Sequence, residues 1–412
     1  MLFKYIKVKT KGQNEGEKLL VPKLRFKEFK DEWKTYNLKQ VLEIKNGLNK
    51  EKESFGTGTP IINYMDVNKH TILTSDKIKG LVKLSKKEID NFKVNKGDIF
   101  FTRTSETSAE IGLSSSLIED IENCVFSGFI LKATPKKNIF NNLFSGYYFR
   151  TYKLRKEIIK HSSITTRALT SGSLLYGMNI KIPNIDEQEK IGKTLYLLDK
   201  KTELQQRRIE ALKIYKKGLI QKYFESKSGK KIKISEILEE VINKTTENNQ
   251  YEVISSTKDG LFLQSEYFNR SIASDNNIGY KILKKNQIVL SPQNLWMGNI
   301  NYNNKYEIGM VSPSYKIFNI NKKFDKDYIS NLLKTNKAIY YYTINSEQGA
   351  SIVRRNLNME SFYEINFVIP DIAEQNKKGK IINEISQKIE KEEKKYQKLD
   401  KLKKGLLQKM FI

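Results

Sequence analysis

The sequence predicts an α+β chain ordered head, helix, head, helix, with two alike helices and two unlike heads. Three observations carry this. Residues 182–224 and 369–411 align without a gap at a constant offset of 187, and 18 of the 43 positions are identical. Each copy begins at an Ile-Pro pair that closes an apolar, strand-like run, NIKIP at 179–183 and NFVIP at 366–370. Each copy then carries apolar residues at 4-3 spacing, the pattern of a helix that buries one stripe against another helix. Two repeats are too few for a solenoid, so the chain reads as a pseudo-twofold pair.

The elements follow in order. Residues 1–20 are polar and aperiodic and are expected to be a mobile tail. The first head, 21–181, opens on Val21-Pro22-Lys23-Leu24-Arg25-Phe26, Trp33 and the amphipathic segment 38–43 (LKQVLE). The second head, 227–368, opens on a similar segment at 234–239 (ISEILE). Within the heads, 92–101 (FKVNKGDIFF) and 282–290 (ILKKNQIVL) both read as a turn followed by an apolar strand, with Gly97-Asp98 and Asn286-Gln287 in the turns. From these openings to the Ile-Pro pairs the first head is nine residues longer. The ends match and the interiors diverge.

The spacer helices are expected within 182–226 and 369–412. Proline, then Glu187-Gln188 or Glu374-Gln375, is a helix-start signal, because acidic groups suit the positive end of the helix dipole. The proline-free run from Glu187 to Phe224 would make a rod of about 57 Å. Its seam is Ile191, Leu195, Leu198, Thr202, Gln205, Ile209, Leu212, Lys216 and Leu219. The second seam is Lys378, Ile382, Ile385, Ile389, Glu392, Tyr396, Leu399, Lys403 and Leu406. With a head between them the helices can run antiparallel, and full overlap would set Gln205 opposite Glu392 as a polar layer that fixes register.

The chain has 412 residues, with 74 Lys+Arg against 47 Asp+Glu and a formal net charge of +27. Such an excess draws in polyanions. No run approaches the roughly 20 apolar residues of a spanning helix. The opening MLFKYIKVKTKG is interrupted by Lys4 and Lys7, so no signal peptide is expected and the cytoplasm is the default. The single Cys124 excludes an internal disulfide framework and a cysteine zinc cluster, and His70 and His161 read as solvated surface. Ile191-Gly192-Lys193-Thr194 lacks the upstream glycine and the loop of a phosphate-binding motif. None of the seven prolines are adjacent, so the Pro-Pro-aromatic motif of an amino-methyltransferase is missing. A nuclease-like set of Pro370-Asp371 with Glu392-Glu393-Lys394 can be assembled, but its repeat mate holds Asn184, and these glutamates fall on the helix seam. No catalytic or metal-ligating residue is therefore assigned. The chain reads as a binder.

Residues suited to DNA lie in segments expected to be loops. In the first head they are Lys45, Asn46, Tyr64, Arg103, Ser105, Ser163 and Arg167. In the second they are Ser256, Lys258, Gln293, Asn294, Arg354, Arg355 and Asn356. Arg and Lys match guanine O6 and N7, Asn and Gln match adenine N6 and N7, and the hydroxyls suit phosphate.

These features resemble the DNA specificity subunit of type I restriction–modification systems. The carriers are the two Ile-Pro…Glu-Gln…Gly-Lys helices ending in Lys-Lys-Gly-Leu-x-Gln-Lys-x-Phe (216–224 and 403–411), Pro22–Phe26 with Trp33, and Lys96-Gly97-Asp98-Ile99. The resemblance implies two target recognition domains of mixed α/β fold, each reading half of a split site on double-stranded DNA. It implies an antiparallel coiled-coil spacer that sets the gap. Two modification subunits would bring S-adenosylmethionine and adenine N6 chemistry, and restriction subunits would bring ATP and Mg. This chain would hold no cofactor. Rival readings are a coiled-coil scaffold with protein-binding heads, an RNA-binding factor, and a self-contained methyltransferase-nuclease.

Overall fold

The computed structural model describes residues 6–7, 21–164, 166–225, 228–267, 276–348 and 355–412, the side chains of 6, 7 and 348 excepted. The tail expected over 1–20 otherwise lies outside the described residues. The chain divides into two compact units, 1–206 with 395–412, and 207–394. Each unit holds one head and a portion of both long helices.

In the first unit a five-stranded sheet has the order Leu42–Asn46, Ile130–Pro135, Ile99–Thr102, Ser114–Leu117, Ile72–Leu73, with only the last pair parallel. In the second unit a four-stranded antiparallel sheet has the order Leu238–Val241, Lys316–Ile320, Gln287–Leu290, Ile300–Tyr302. The first four positions of both orders correspond in chain sequence. The expected turns before the central strands are present, and Gly97 (φ +95°) and Asn286 (φ +67°) take the left-handed backbone that Gly and Asn tolerate. Gln287, expected in the turn, instead opens the strand and is buried.

After each sheet come two helices, Asn142–Tyr148 with Tyr152–Lys160, and Lys326–Leu332 with Asn336–Ile344. The strand before each proline pairs with the strand that opens its head. Asn179–Ile182 pairs with Lys34–Asn37, and Asn366–Ile369 with Lys230–Lys233. The echo of 38–43 and 234–239 is thus a shared strand, short helix and strand.

The long helices span Ile185–Phe224 and Ile372–Lys409. Asn184 and Asp371 accept the backbone N–H of Glu187 and Glu374 at 2.9 Å, which satisfies an orphan donor at each start. All eighteen seam positions are buried or half-buried. In the first unit Ile191, Leu195, Leu198, Leu399 and Leu406 join the core of the head, and Asp199 pairs with Lys403 at 2.6 Å. In the second unit Arg208 approaches Glu392 (3.7 Å), Lys213 pairs with Glu393 (2.8 Å), and the Lys378 ammonium donates to the Tyr223 carbonyl at 3.4 Å. In the second unit higher numbers on one helix meet lower numbers on the other, so the pair runs antiparallel there.

One device joins head to helix in both units. The Gln188 amide donates to the carbonyls of Pro183 and Ile139 (2.9 and 2.8 Å) and accepts from the Asn141 N–H (3.0 Å). Gln375 likewise donates to the Pro370 carbonyl (2.8 Å) and accepts from the Asp325 N–H (3.0 Å). Asn141 and Asp325 are the N-caps of the helices that follow each sheet. Four residues along, a Cβ on Gly192 would lie 2.6 Å from the Phe144 nitrogen, and one on Gly379 would lie 2.8 Å from the Tyr328 nitrogen. Only glycine lets the helices approach this closely. The Gly-Lys-Thr sequence therefore serves packing.

The Arg25 guanidinium grips the buried Glu187 carboxylate through two bonds of 2.7 Å, while Glu374 pairs with Lys378 along its own helix. Leu24 donates to the Lys409 carbonyl (2.8 Å), and Trp33 meets the Phe411 ring edge-on.

Gln188→Leu strands a buried N–H and two carbonyls, and Gly192→Val forces a side chain into backbone. Each is expected to lower stability by about 2–3 kcal/mol, read as a lower urea midpoint, whereas Gly218→Ala on the same helix, with open space around it, leaves the midpoint unchanged or raised.

Candidate nucleic-acid interface

In the first head three strands finish together. Asn46 lies opposite Leu131, and Thr102 opposite Ile130, so 46, 103 and 129 share one end of the sheet. Lys45 and Asn46 were expected in a loop. They lie on the edge strand, are exposed, and Lys45 pairs loosely with Glu43 at 3.1 Å. Arg103 leaves the central strand, and its guanidinium donates to the Gly128 carbonyl at 3.3 Å.

Directly after Arg103, Thr104–Ser105 pairs with Ala168–Leu169, which pairs with Ser163–Ile164. Backbone pairing thus gathers two separate candidate segments. Ser163 and Arg167 are exposed on this small sheet. Ser105 is not: it is 6% exposed, and its hydroxyl donates to Glu110 at 3.3 Å. Tyr64, expected in a loop, begins a short helix and donates to the same carboxylate at 3.2 Å. Glu110, which the sequence reading missed, therefore orients Tyr64 and Ser105 behind the exposed residues. Nothing in its local sequence marks this role.

The second head repeats the arrangement. Ser291–Asn294 follow the central strand, and the Arg355 N–H donates to the Gln293 carbonyl at 3.2 Å. Arg355–Leu357 pairs with Ser346–Gln348. Gln293 and Asn356 are exposed, and Asn294 and Arg355 half-buried. The Arg355 guanidinium lies 4.8 Å from the Trp296 ring centre, a cation–π contact that fixes its plane. Arg354 lies outside the described residues.

Ser256 is a correction. It is 4% exposed on a strand, donating to Asn299 (2.7 Å) and accepting from Asn301 (2.8 Å). Its hydroxyl completes a buried network and does not face solvent. Lys258 in the adjoining turn is exposed. Nearby, Lys334 donates to Asn301 at 2.7 Å, and burial, reinforced by the neighbouring Lys216, lowers its pKa.

Other titratable groups serve structure. His70 and His161, expected to be solvated, are half-buried at helix ends: burial lowers the His70 pKa, and the His161 Nδ1 lies 2.9 Å from the Glu157 carbonyl. Burial pushes the Cys124 thiol up to about 12. Arg150 is enclosed by the carbonyls of Val67, Asn68 and His70, and burial lowers it to about 10. Asp371 caps a helix while Glu392 and Glu393 face cations, so the nuclease-like set is dispersed among structural contacts. Among the described residues no group of His, Cys, Asp or Glu could hold a metal, and no helix is long and apolar enough to cross a membrane.

Residues 30–214, the first head and most of the first long helix, match the family model of the type I restriction modification DNA specificity domain. A putative type I restriction enzyme MjaX specificity subunit from Methanocaldococcus jannaschii is 29% identical over 224 residues, 52% of this chain. The match spans about half, 51%, of that relative's own length. The fold is similar to the S subunit of a type I restriction–modification system from M. genitalium (TM-score 0.60, 16% identity, 95% of this chain and 99% of that one). It is also similar to a chain from a structure concerned with complex assembly and conformational transition of the type I system (TM-score 0.50, 11% identity, 92% and 97% covered).

Two substitutions separate readers from supports. Arg167→Ala is expected to weaken duplex binding about 10- to 100-fold. Ser256→Ala is expected to lower stability by about 1–3 kcal/mol, read as a lower urea midpoint, and leave base preference intact. Titrations with labelled duplex and urea melts of the same preparations decide both.

Proposed function

We propose that the chain is a member of the type I restriction–modification DNA specificity family, a non-catalytic subunit that reads a split target on double-stranded DNA. It directs partner subunits to methylate adenine N6 or to cleave. The observation that carries this reading is the twofold recurrence of one arrangement: at the end of a like-ordered sheet, a polar loop after the central strand lies against a strand bearing or following arginine. The formal charge of +27 supplies the attraction to phosphate.

In this proposal Lys45, Asn46, Arg103, Ser163 and Arg167 face one half-site, and Lys258, Gln293, Asn294, Arg354, Arg355 and Asn356 the other. Tyr64 and Ser105 hold the first set in place through Glu110. The long helices act as the spacer, with Gln205 and Glu392 as its central polar residues. The partners are two modification subunits, which carry S-adenosylmethionine, and restriction subunits, which carry ATP and Mg. The setting is the cytoplasm.

The test is co-expression with the modification subunit encoded beside it in a methylation-free host, followed by mapping of N6-methyladenine. The expected result is a two-part motif with a fixed gap that vanishes without this chain; no methylation from a soluble, assembled complex would overturn it. Binding of the mapped duplex should also fall about 10³- to 10⁵-fold between 50 and 200 mM salt if 6–10 phosphates are contacted. A flat response in a salt titration would remove phosphate as the main attraction.

A further inference from the structure

We propose that Phe129 is an apolar wedge that enters a base step within the half-site of the first head, with Ile242 as its counterpart in the second. This rests on the DNA-reading proposal above. An exposed Phe alone means little, but this one, 67% exposed, stands on a backbone held by three hydrogen bonds. The Phe129 carbonyl accepts from the Arg103 N–H (2.9 Å), the Gly128 carbonyl from the Arg103 guanidinium (3.3 Å), and the Gly128 N–H donates to the Leu48 carbonyl (2.7 Å). Two glycines make this approach possible. A Cβ on Gly47 would lie 2.1 Å from the Ser127 carbonyl oxygen, and one on Gly128 1.9 Å from Asn49. Nearby Phe100 and Phe126 are buried in the core, and Phe129 is left outside it.

Its surroundings are those of the candidate interface. Asn46 and Lys45 end the adjoining strand, and Arg103 begins the next loop. An apolar side chain among cationic and amide neighbours suits a duplex, whose phosphates meet the cations while its stacked interior takes the apolar group.

The second head supplies an independent instance. Its edge strand ends at Val241, opposite Ile317, and the next residue, Ile242, is also 67% exposed. By strand register Ile242 holds the place of Asn46, and the exposed Ser314 that of Phe129. Each head thus sets one apolar and one polar side chain on the same strand pair, in exchanged positions. A wedge suits the proposed partner chemistry, because a weakened stack lowers the cost of extruding the adenine to be methylated.

The experiment uses the full chain assembled with its modification subunits and the mapped duplex. 2-Aminopurine is placed in turn at each position of the half-site read by the first head. Wild type is expected to raise fluorescence severalfold at one step. Phe129→Ala should abolish that rise and weaken target binding about tenfold, with non-specific binding, the unfolding midpoint and the other half-site unchanged. Phe129→Leu should retain part of the rise, and Ile242→Ser should act on the other half-site only. An undiminished rise in Phe129→Ala, no rise in wild type on a duplex it selects, or failure of Phe129→Ala to assemble with the modification subunits would overturn the wedge. A wild-type complex with no preference for any duplex would instead overturn the DNA-reading proposal beneath it.

Discussion

The fold depends on one crossing, made once in each unit: a head helix presses its first turn onto a long helix at a glycine. The approach brings backbone to backbone at Gly192 and Gly379, a spacing that any Cβ forbids. Such contact buries peptide groups that must find partners, since an unpaired one costs about 1–3 kcal/mol. Gln188 and Gln375 supply them. Each side chain joins the residue after the last head strand, its proline, to the N-cap of the head helix. Glycine sets the distance, and glutamine satisfies the groups that the distance buries. This explains why the repeat keeps Glu-Gln and Gly-Lys at fixed spacing while the seam between them exchanges Leu for Ile and Gln for Glu. Apolar volume along a helix pair is interchangeable, but a backbone contact is not.

The heads illustrate the converse. Their sequences diverge, yet both place the sheet's first strand in chain order beside its last, and the central strand next to that. Strand pairing is carried by backbone groups, which are the same whatever the side chains, and the faces need only apolar residues at period two. The first head meets this with Ile99, Phe101, Leu131 and Ala133, the second with Ile288, Leu290 and Phe318. Residues at and beyond the strand ends are free of that demand. There one head carries Asn46 and Phe129, the other Ile242 and Ser314.

This division also sets what the sequence makes legible. The helix repeat, its starts and its seam are periodic and local, and every seam position is at least half-buried. The turns at Gly97 and Asn286 are equally local. The candidate site was legible by residue type and only partly by place. Arg103 and Arg167 fall together because short strands some sixty residues apart pair, and Gln293 and Arg355 through one backbone hydrogen bond across a similar separation; such long-range bonding leaves no mark at either end alone. Ser256 and Ser105 show the opposite failure. A serine in a polar stretch looks solvated, but alternation along a strand turns Ser256 inward to Asn299 and Asn301. Phe129 and Glu110 carried no signal, because exposure of a Phe and the partners of a Glu are settled by tertiary packing.

The two units differ most where the repeat keeps a residue but changes its neighbour. Glu187 is enclosed, and a buried carboxylate survives only with a partner of good geometry. The Arg25 fork provides it, two bonds at 2.7 Å, and in doing so ties the opening of the first head to the start of the long helix. Glu374 is 39% exposed at its side chain and pairs with Lys378 one turn along its own helix. The same glutamate is thus a clasp between head and helix in one unit and a pair within one helix in the other. Arg25 belongs to a leading segment, Leu24–Phe26, in which Leu24 also bonds to Lys409 in the last turn of the second helix. In the first unit Arg25 and Leu24 therefore hold the start of the head against the first turn of one long helix and the last turn of the other.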